Sequence, residues 1–279
     1  MEEELILNNI KYLLLRRMTQ VLILFLYFGA NAYGWHMLEG TFGASRLFGV
    51  IPLSDPYTVL QVLFSGFVLG ADVLFGALII TLFYMVVGGR AFCSWVCPIN
   101  MVTDLAAWLR RKLGLDKEIT NYRFVKRKAR YWIMALGLIV SAVVGVAAFE
   151  VLSPITIMQR GLVFGFGAGV SVVIAIFLFD LFGVRNGWCG HLCPLGATYS
   201  LIGQKSLIRV EHDHEACTGC MDCKVVCPEN QVLHMINKES IHVTDGECTN
   251  CGRCIDVCND DALRFSIRSF AKKETNQSK

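Results

Sequence analysis

Net charge is nearly absent from this sequence: 26 basic and 23 acidic residues leave +3 on 279 residues. So small a balance gives no reason to expect a nucleic-acid partner. No G-x-G-x-x-G run follows a strand-like segment, so the chain does not look like an NADH enzyme. Nor does the N-terminal stretch read as a cleavable leader. Glu2, Glu3 and Glu4 open the chain, and no small-residue cleavage site ends a short apolar core. The first apolar stretch is therefore read as a retained anchor. No cysteine is left over either. The 12 fall into spaced groups: eight between Cys217 and Cys258, two at Cys93 and Cys97, and two at Cys189 and Cys193. Grouped cysteines point to cofactors rather than to scattered core thiols.

Apolar residues, in contrast, make up 54% of the chain, more than a soluble domain of this size needs. Four stretches are long enough to cross a bilayer: Met18–Met37, Val59–Val87, Tyr131–Val151 and Leu162–Phe182. The expected fold is an α-helical membrane protein with four transmembrane helices in two repeated hairpins. These fill residues 18–206, after a cytoplasmic N-terminus at 1–17. A small α+β domain at 207–268, rich in cysteine, and a disordered tail at 269–279 follow. Gly40, Gly43, Gly49, Pro52 and Pro56 mark the first connection as a loop. Arg90, Arg110, Arg111, Lys112, Lys117, Arg123, Lys126, Arg127, Lys128 and Arg130 crowd the middle segment, whereas the opposite loops offer Arg46 and Arg160. Positive residues stay inside, so the middle segment and the C-terminal domain are expected on the cytoplasmic side of the bacterial inner membrane. That side is reducing, which suits thiolates and disfavours disulfides.

The densest chemistry lies at Cys217-x2-Cys220-x2-Cys223-x3-Cys227-Pro228. The same spacing returns 31 residues later at Cys248, Cys251, Cys254 and Cys258, with Asn259 in place of proline. Such runs supply the ligands of bacterial two-cluster ferredoxins, in which the fourth cysteine of each run crosses to the other cluster. One [4Fe–4S] cluster is therefore expected on Cys217, Cys220, Cys223 and Cys258. A second is expected on Cys248, Cys251, Cys254 and Cys227. Zinc ribbons also use Cys-x2-Cys pairs, but three cysteines at successive x2 spacing suit them poorly. Short β-type segments at Leu207–Val210, Ile241–Val243 and Leu263–Ile267 surround the runs.

A second repeat lies in the apolar part. Cys93-x3-Cys97-Pro98 and Cys189-x3-Cys193-Pro194 stand 96 residues apart, each shortly after an arginine, Arg90 and Arg185. This reads as a parallel duplication of hairpin plus cysteine turn. Three chemistries fit the four thiols: a metal or further cluster, packed structural cysteines, or a thiol pair carrying electrons through a disulfide. His191 is a weaker ligand candidate. After Pro98, Val102, Leu105, Ala106, Leu109 and Leu113 form a helical stripe beside Arg110–Lys112, as in a helix lying on a membrane surface. Ionisable residues at or near the spans, His36, Glu39, Asp72, Glu150 and Asp180, are functional candidates because charge in lipid is costly. Of these, His36, Glu39 and Asp72 suit a proton acceptor for quinol oxidation. The plainer reading makes each an interface residue or a partner of a helix neighbour.

The paired Cys-x3-Cys-Pro turns with a C-terminal two-cluster run resemble the NapH-type membrane ferredoxins of periplasmic nitrate reduction. NosR-like regulators and CcoG-like assembly proteins share the turns but are usually longer. The resemblance implies an electron-transfer subunit of a quinol dehydrogenase. Such a subunit draws on the quinol pool, works with a periplasmic NapG-like iron–sulfur protein, and passes electrons toward periplasmic nitrate reductase. The alternative is an iron–sulfur assembly or redox-regulatory protein of the NosR or CcoG kind. Clusters on the cytoplasmic side and a periplasmic acceptor leave two routes open. Either electrons cross through the turns or a bound quinone, or the clusters serve another donor.

Overall fold

The computed structural model describes residues 10–115, 127–165, 167 and 169–268. Glu2–Glu4, Lys117, Arg123, Lys126 and the tail 269–279 lie outside the described residues. Helix α1 (Lys11–Tyr33) leads into strands β1 (Leu38–Gly40), β2 (Ala44–Leu47) and β3 (Ile51–Ser54). Helices α2 (Pro56–Phe64), α3 (Ala71–Val87), α4 (Ala91–Trp95) and α5 (Ile99–Lys112) come next. They are followed by α6 (Ala129–Val144), α7 (Ala148–Leu152), α8 (Pro154–Phe164) and α9 (Gly169–Leu178). Two π-helical turns, Phe179–Gly183 and Trp188–Leu192, precede α10 (Pro194–Gly203). The C-terminal part holds β4 (Ile208–His212), α11 (Asp222–Val226), a 3-10 turn at Asn230–Leu233, α12 (Arg253–Asp256) and β5 (Leu263–Ile267).

Local chemistry sets these boundaries. Asp55 starts α2 by accepting the Thr58 amide at 2.8 Å, and Pro56 fills the first helical position, where no N–H is needed. Pro154 and Pro194 open α8 and α10 in the same way. Left-handed glycines, Gly34 and Gly145, stop α1 and α6.

The expectation of four transmembrane helices is overturned. Among the described residues one helix, Lys11–Tyr33, is long and apolar enough to cross a membrane. The stretch Val59–Val87 is interrupted at residues 65–70, where Gly66 takes a positive φ, and α3 retains 17 residues. Such a helix rises about 25 Å, short of a hydrocarbon core of about 30 Å. Tyr131–Val151 is cut at Gly145, and Leu162–Phe182 is cut where α8 meets Gly165 at φ 91°. A hydropathy window counts side chains and misses glycines that turn the backbone. The first connection is no loop either. Its residues form a three-stranded antiparallel sheet in the order β1-β2-β3, with Leu38 opposite Leu47 and Ala44 opposite Ser54.

Two cores result. One packs Tyr57, Tyr84, Phe92, Ile99, Ile155 and Tyr199 around Cys97 and Cys193. The other packs Val210, Leu233, Met235, Ile236 and Val243 around Cys223, Cys248 and Cys254. In the second, β4 and β5 pair antiparallel, Ile208 opposite Ile267 and His212 opposite Leu263. The segment Ile241–Val243 adds no third strand but a bridge from His242 to Glu211, a 2.8 Å bond from the Val243 amide to Val210 O and a 3.0 Å bond from the His212 amide to Ile241 O, among the described residues. Buried polar residues join the cores. Arg90, Arg110 and Arg130, counted above as basic loop residues, are all fully buried. They hold internal partners and so say little about which side of a membrane the segment occupies.

Candidate iron–sulfur centre

Each cysteine run makes the same backbone loop. In the first, Gly219 and Met221 take positive φ, at 76° and 69°. Asn250 and Gly252, 31 residues on, do so at 46° and 74°. Left-handed residues set between right-handed ones turn successive amides toward one point, making a concavity that suits an anionic cluster. α11 and α12 then start directly, carrying Cys223 and Cys254 inward.

The thiols assemble into two groups. Burial and the neighbouring Cys220, Cys258 and Cys217 push the Cys223 thiol up to about 11. Cys254 is raised by burial and then by Cys251, Cys227 and Cys248. Cys227 is raised by burial, Cys251 and Cys248, and eased by Arg185 and Arg253. Cys258 thus acts on Cys223 of the first run and Cys227 on Cys254 of the second, which also feels Cys223. Such thiols stay protonated when alone, and a bound metal would draw them into the thiolate form. Among the described residues no three Cys, His, Asp or Glu side chains approach closely enough to hold a single ion. A four-iron cube, with its metals between its thiolates, spreads its ligands more widely than one ion does, so two four-thiol groups of this kind fit it.

The groups differ in surroundings. Cys220 is exposed, while Cys248, Cys251 and Cys254 are buried. Around the inner group stand Arg209 beside Cys248, Arg16 beside Cys251, and Arg253 beside Cys251 and Cys227. None of these arginines was singled out for this role on sequence grounds. Only Arg253, set between Cys251 and Cys254, carried any positional signal.

The inner group also lies against the cysteine turns. Ser94 Oγ donates to Thr249 O at 2.7 Å, and Trp95 Nε1 donates to Asn250 O at 2.9 Å. From the other turn, Arg185 donates to Val225 O and to Cys227 O, the latter at 3.3 Å. Arg90 joins all three parts. It donates to Glu229 Oε1 at 2.6 Å, to Glu247 O at 3.0 Å and to Cys189 O at 2.9 Å. A small cavity of about 20 Å³ has Cys93, Cys189 and Cys251 in its wall.

The four turn cysteines come together too. Burial, then Cys93 and Cys193, raises Cys97. Burial, Cys97 and Cys193 raise Cys189, while Cys193 reaches about 11. His191 is buried, and burial and Arg127 lower its pKa, which keeps the ring neutral. Its Nδ1 has no hydrogen-bond partner among the described residues.

The remaining candidates are dispersed. His36 and Glu39 pair with each other on the exposed side of β1, the His36 side chain being 86% exposed. Asp72 is exposed in the first turn of α3 rather than mid-helix. Glu150 accepts from Thr58 Oγ1 at 3.2 Å and Thr156 Oγ1 at 2.8 Å. Asp180 is buried and accepts the Trp188 amide at 2.9 Å. Helix α5 forms, with an open apolar side and a buried polar side. Asp104 and Arg110 are buried, and Leu105, Trp108 and Leu113 are exposed.

A family model described as a 4Fe-4S binding domain matches residues 69–116 and again 165–210, spanning both cysteine turns. A 4Fe-4S dicluster domain model matches residues 209–259. The chain is 42% identical over 262 residues to the ferredoxin-type protein NapH of Escherichia coli, covering 92% of this chain and 90% of that protein. It is 45% identical to the NapH protein of Haemophilus influenzae, with the same coverage. It is also 44% identical to the methylamine utilization ferredoxin-type protein MauN of Methylorubrum extorquens, again with that coverage. No solved structure matches.

Proposed function

The chain belongs to the family of NapH and MauN ferredoxin-type proteins, iron–sulfur proteins of electron transfer, and from that premise we propose that it is the membrane-bound electron-transfer subunit of a quinol dehydrogenase. Electrons from the quinol pool pass through it toward a NapG-like iron–sulfur partner and periplasmic nitrate reductase. The observation that carries this reading is the alignment of three thiol groups. In this reading electrons pass from the group of Cys217, Cys220, Cys223 and Cys258, of which Cys220 is exposed, to the group of Cys227, Cys248, Cys251 and Cys254, of which all but Cys227 are buried. That group shares a cavity wall with Cys93 and Cys189. When bound, a [4Fe–4S] cluster takes up and returns one electron at a time. The protein's own part is to exclude water around the inner group and to balance its negative charge with Arg16, Arg209 and Arg253.

Membrane association is supported by apolar side chains left in the open: Leu22 and Phe25 on α1, Phe75 and Leu82 on α3, Ile139 and Val143 on α6. Exposed apolar surface of that extent marks an interaction with lipid or protein. The N-terminal end of α1 lies on the iron–sulfur side, where the Tyr12 and Leu13 amides donate to Asp256.

The MauN relatives, named for methylamine utilization, support a second reading in which the same electron path serves a different terminal enzyme. The test is anaerobic purification in detergent. About eight iron and eight sulfide per chain are expected from two four-iron clusters, with visible bleaching on addition of a short-chain quinol. Zinc in place of iron would end the cluster assignment. Iron present but indifferent to quinol would favour the assembly or regulatory reading.

A further inference from the structure

Where α1, α5 and α12 meet, a cleft of about 630 Å³ opens, within the size range of small-molecule sites. None of His36, Glu39 and Asp72 lines it. One end is polar. There Asp104 holds the guanidiniums of Arg17 and Arg253, and Asp256 accepts the Tyr12 and Leu13 amides at 3.1 and 3.2 Å. The other end is apolar, walled by Leu13, Val102, Leu105 and Trp108. Leu105 and Trp108 are 54% and 47% exposed, so this end opens onto the outside of the molecule.

The polar end lies at the cysteine runs. Val226 and Val257 line the cleft, immediately preceding Cys227 and Cys258. Arg253 lines it as well, precedes Cys254, and acts electrostatically on Cys251 and Cys227. A ligand head there would touch residues adjacent to both thiol groups. These features select an amphiphile. It needs a flat head with oxygens that exchange hydrogen bonds with carboxylates and guanidiniums, and an aliphatic tail that leaves past Leu105 and Trp108.

We propose that this cleft is the binding site of an isoprenoid quinol, with its ring between Arg253 and Asp256 and its tail along Leu105 and Trp108; this rests on the quinol-dehydrogenase reading above. Arg17, Arg111 and Arg253 line the cleft with Asp104 and Asp256, whose oxygens already hold Arg17, Arg253 and the Tyr12 and Leu13 amides, so the test sets a lipid phosphate against the quinone.

The test uses iron-loaded protein in phosphatidylcholine nanodiscs, with a short-chain naphthoquinone as probe and tryptophan fluorescence as readout. Saturable quenching is expected in the wild type, and Trp108→Phe should remove the quenched component. Val102→Trp, which fills the cleft, should weaken binding at least tenfold. Leu105→Glu, a rim change on an exposed site, should do the same and stands in should Val102→Trp lose its iron. Undiminished affinity in the rim and filling variants overturns the proposal. So does displacement of the probe by short-chain phosphatidylglycerol with no effect of Trp108→Phe, which would make the cleft a lipid site. The two readings fail separately. Wild-type reduction of Val102→Trp by quinol would retain the function and remove the cleft. Cleft-dependent binding without any reduction would do the reverse.

Discussion

Glu229 is a single buried carboxylate facing three guanidiniums. Arg90 lies at 2.6 Å, Arg130 at 3.4 Å, and Arg127 completes the set. Gln231 donates to its second oxygen at 2.9 Å. Arg90 and Arg130 are 1% and 0% exposed, so neither can recover solvation if Glu229 is lost. Breaking such a network from one side costs far more than the pairs contribute net, on the order of 3–5 kcal/mol. Glu229→Gln should therefore lower unfolding stability of the iron-loaded protein in detergent by about that amount, read by denaturant titration. A loss below about 1 kcal/mol would mean that Glu247, which also pairs with Arg130, carries the charge balance. Arg90 reads in the sequence as one more positive residue near a membrane. Its partners come from Glu229 and Glu247, far along the chain, and no local pattern announces them.

At the scale of elements, the cysteine turns are set by glycines. A Cβ on Gly89 would fall well inside contact distance of Tyr199 O and of the Gly203 backbone. One on Gly203 would meet Gly89 N at 3.1 Å and Gly246 O at 3.2 Å. Three backbones thus cross where the first turn, α10 and the second cysteine run meet, and none can yield as a flexible side chain would. Gly89→Ala should force the turn off α10, displace Arg90, and cost at least about 2 kcal/mol together with bound iron. Gly145→Ala is the contrast. Gly145 has φ 74° with nothing within 4 Å of a Cβ, so it should lose only the left-handed penalty of about 1–2 kcal/mol and keep its iron. Equal losses in the two variants, read by thermal unfolding and iron content, would reduce the crossing to ordinary strain.

The whole molecule joins its distant parts through Asp55, whose Oδ1 accepts the Tyr199 hydroxyl at 3.0 Å across 144 residues. Burial pushes this carboxyl from 3.8 up to about 6, against the hydrogen bonds from Thr58 and Tyr199 that lower it. Between those values the folded protein keeps a proton that the unfolded chain has released. Its contribution to stability is therefore largest at the acid end and declines as pH rises through the window, with a slope of at most about 1.4 kcal/mol per unit. Asp55→Asn keeps a capping oxygen and removes the titration. Its stability relative to wild type should improve from pH 5 to pH 6 and level off above. Parallel curves across that range would show that Asp55 titrates normally.

What the sequence determined by itself is local. The 31-residue repeat of cysteines, the 96-residue repeat of Cys-x3-Cys-Pro, and the family they mark are all matters of spacing along one chain. Spacing decides which thiols a short loop can turn inward, so that much was legible. The β-type runs at Leu207–Val210 and Leu263–Ile267 were legible too, the first forming a strand shifted to Ile208–His212. Long-range contact decided the rest. Apolar runs that passed for four spans are divided by Gly66, Gly145 and Gly165, whose positive φ no hydropathy average registers. Residues read as a loop pair into β1, β2 and β3, because strand pairing is set by partners rather than by composition. Helix α5 buries Asp104 and Arg110 and exposes Leu105 and Trp108, because Asp104 finds Arg16, Arg17 and Arg253 only in the folded chain. The cleft beside it exists for the same reason: its walls come from α1, α5 and the second cysteine run, and only folding brings those three together.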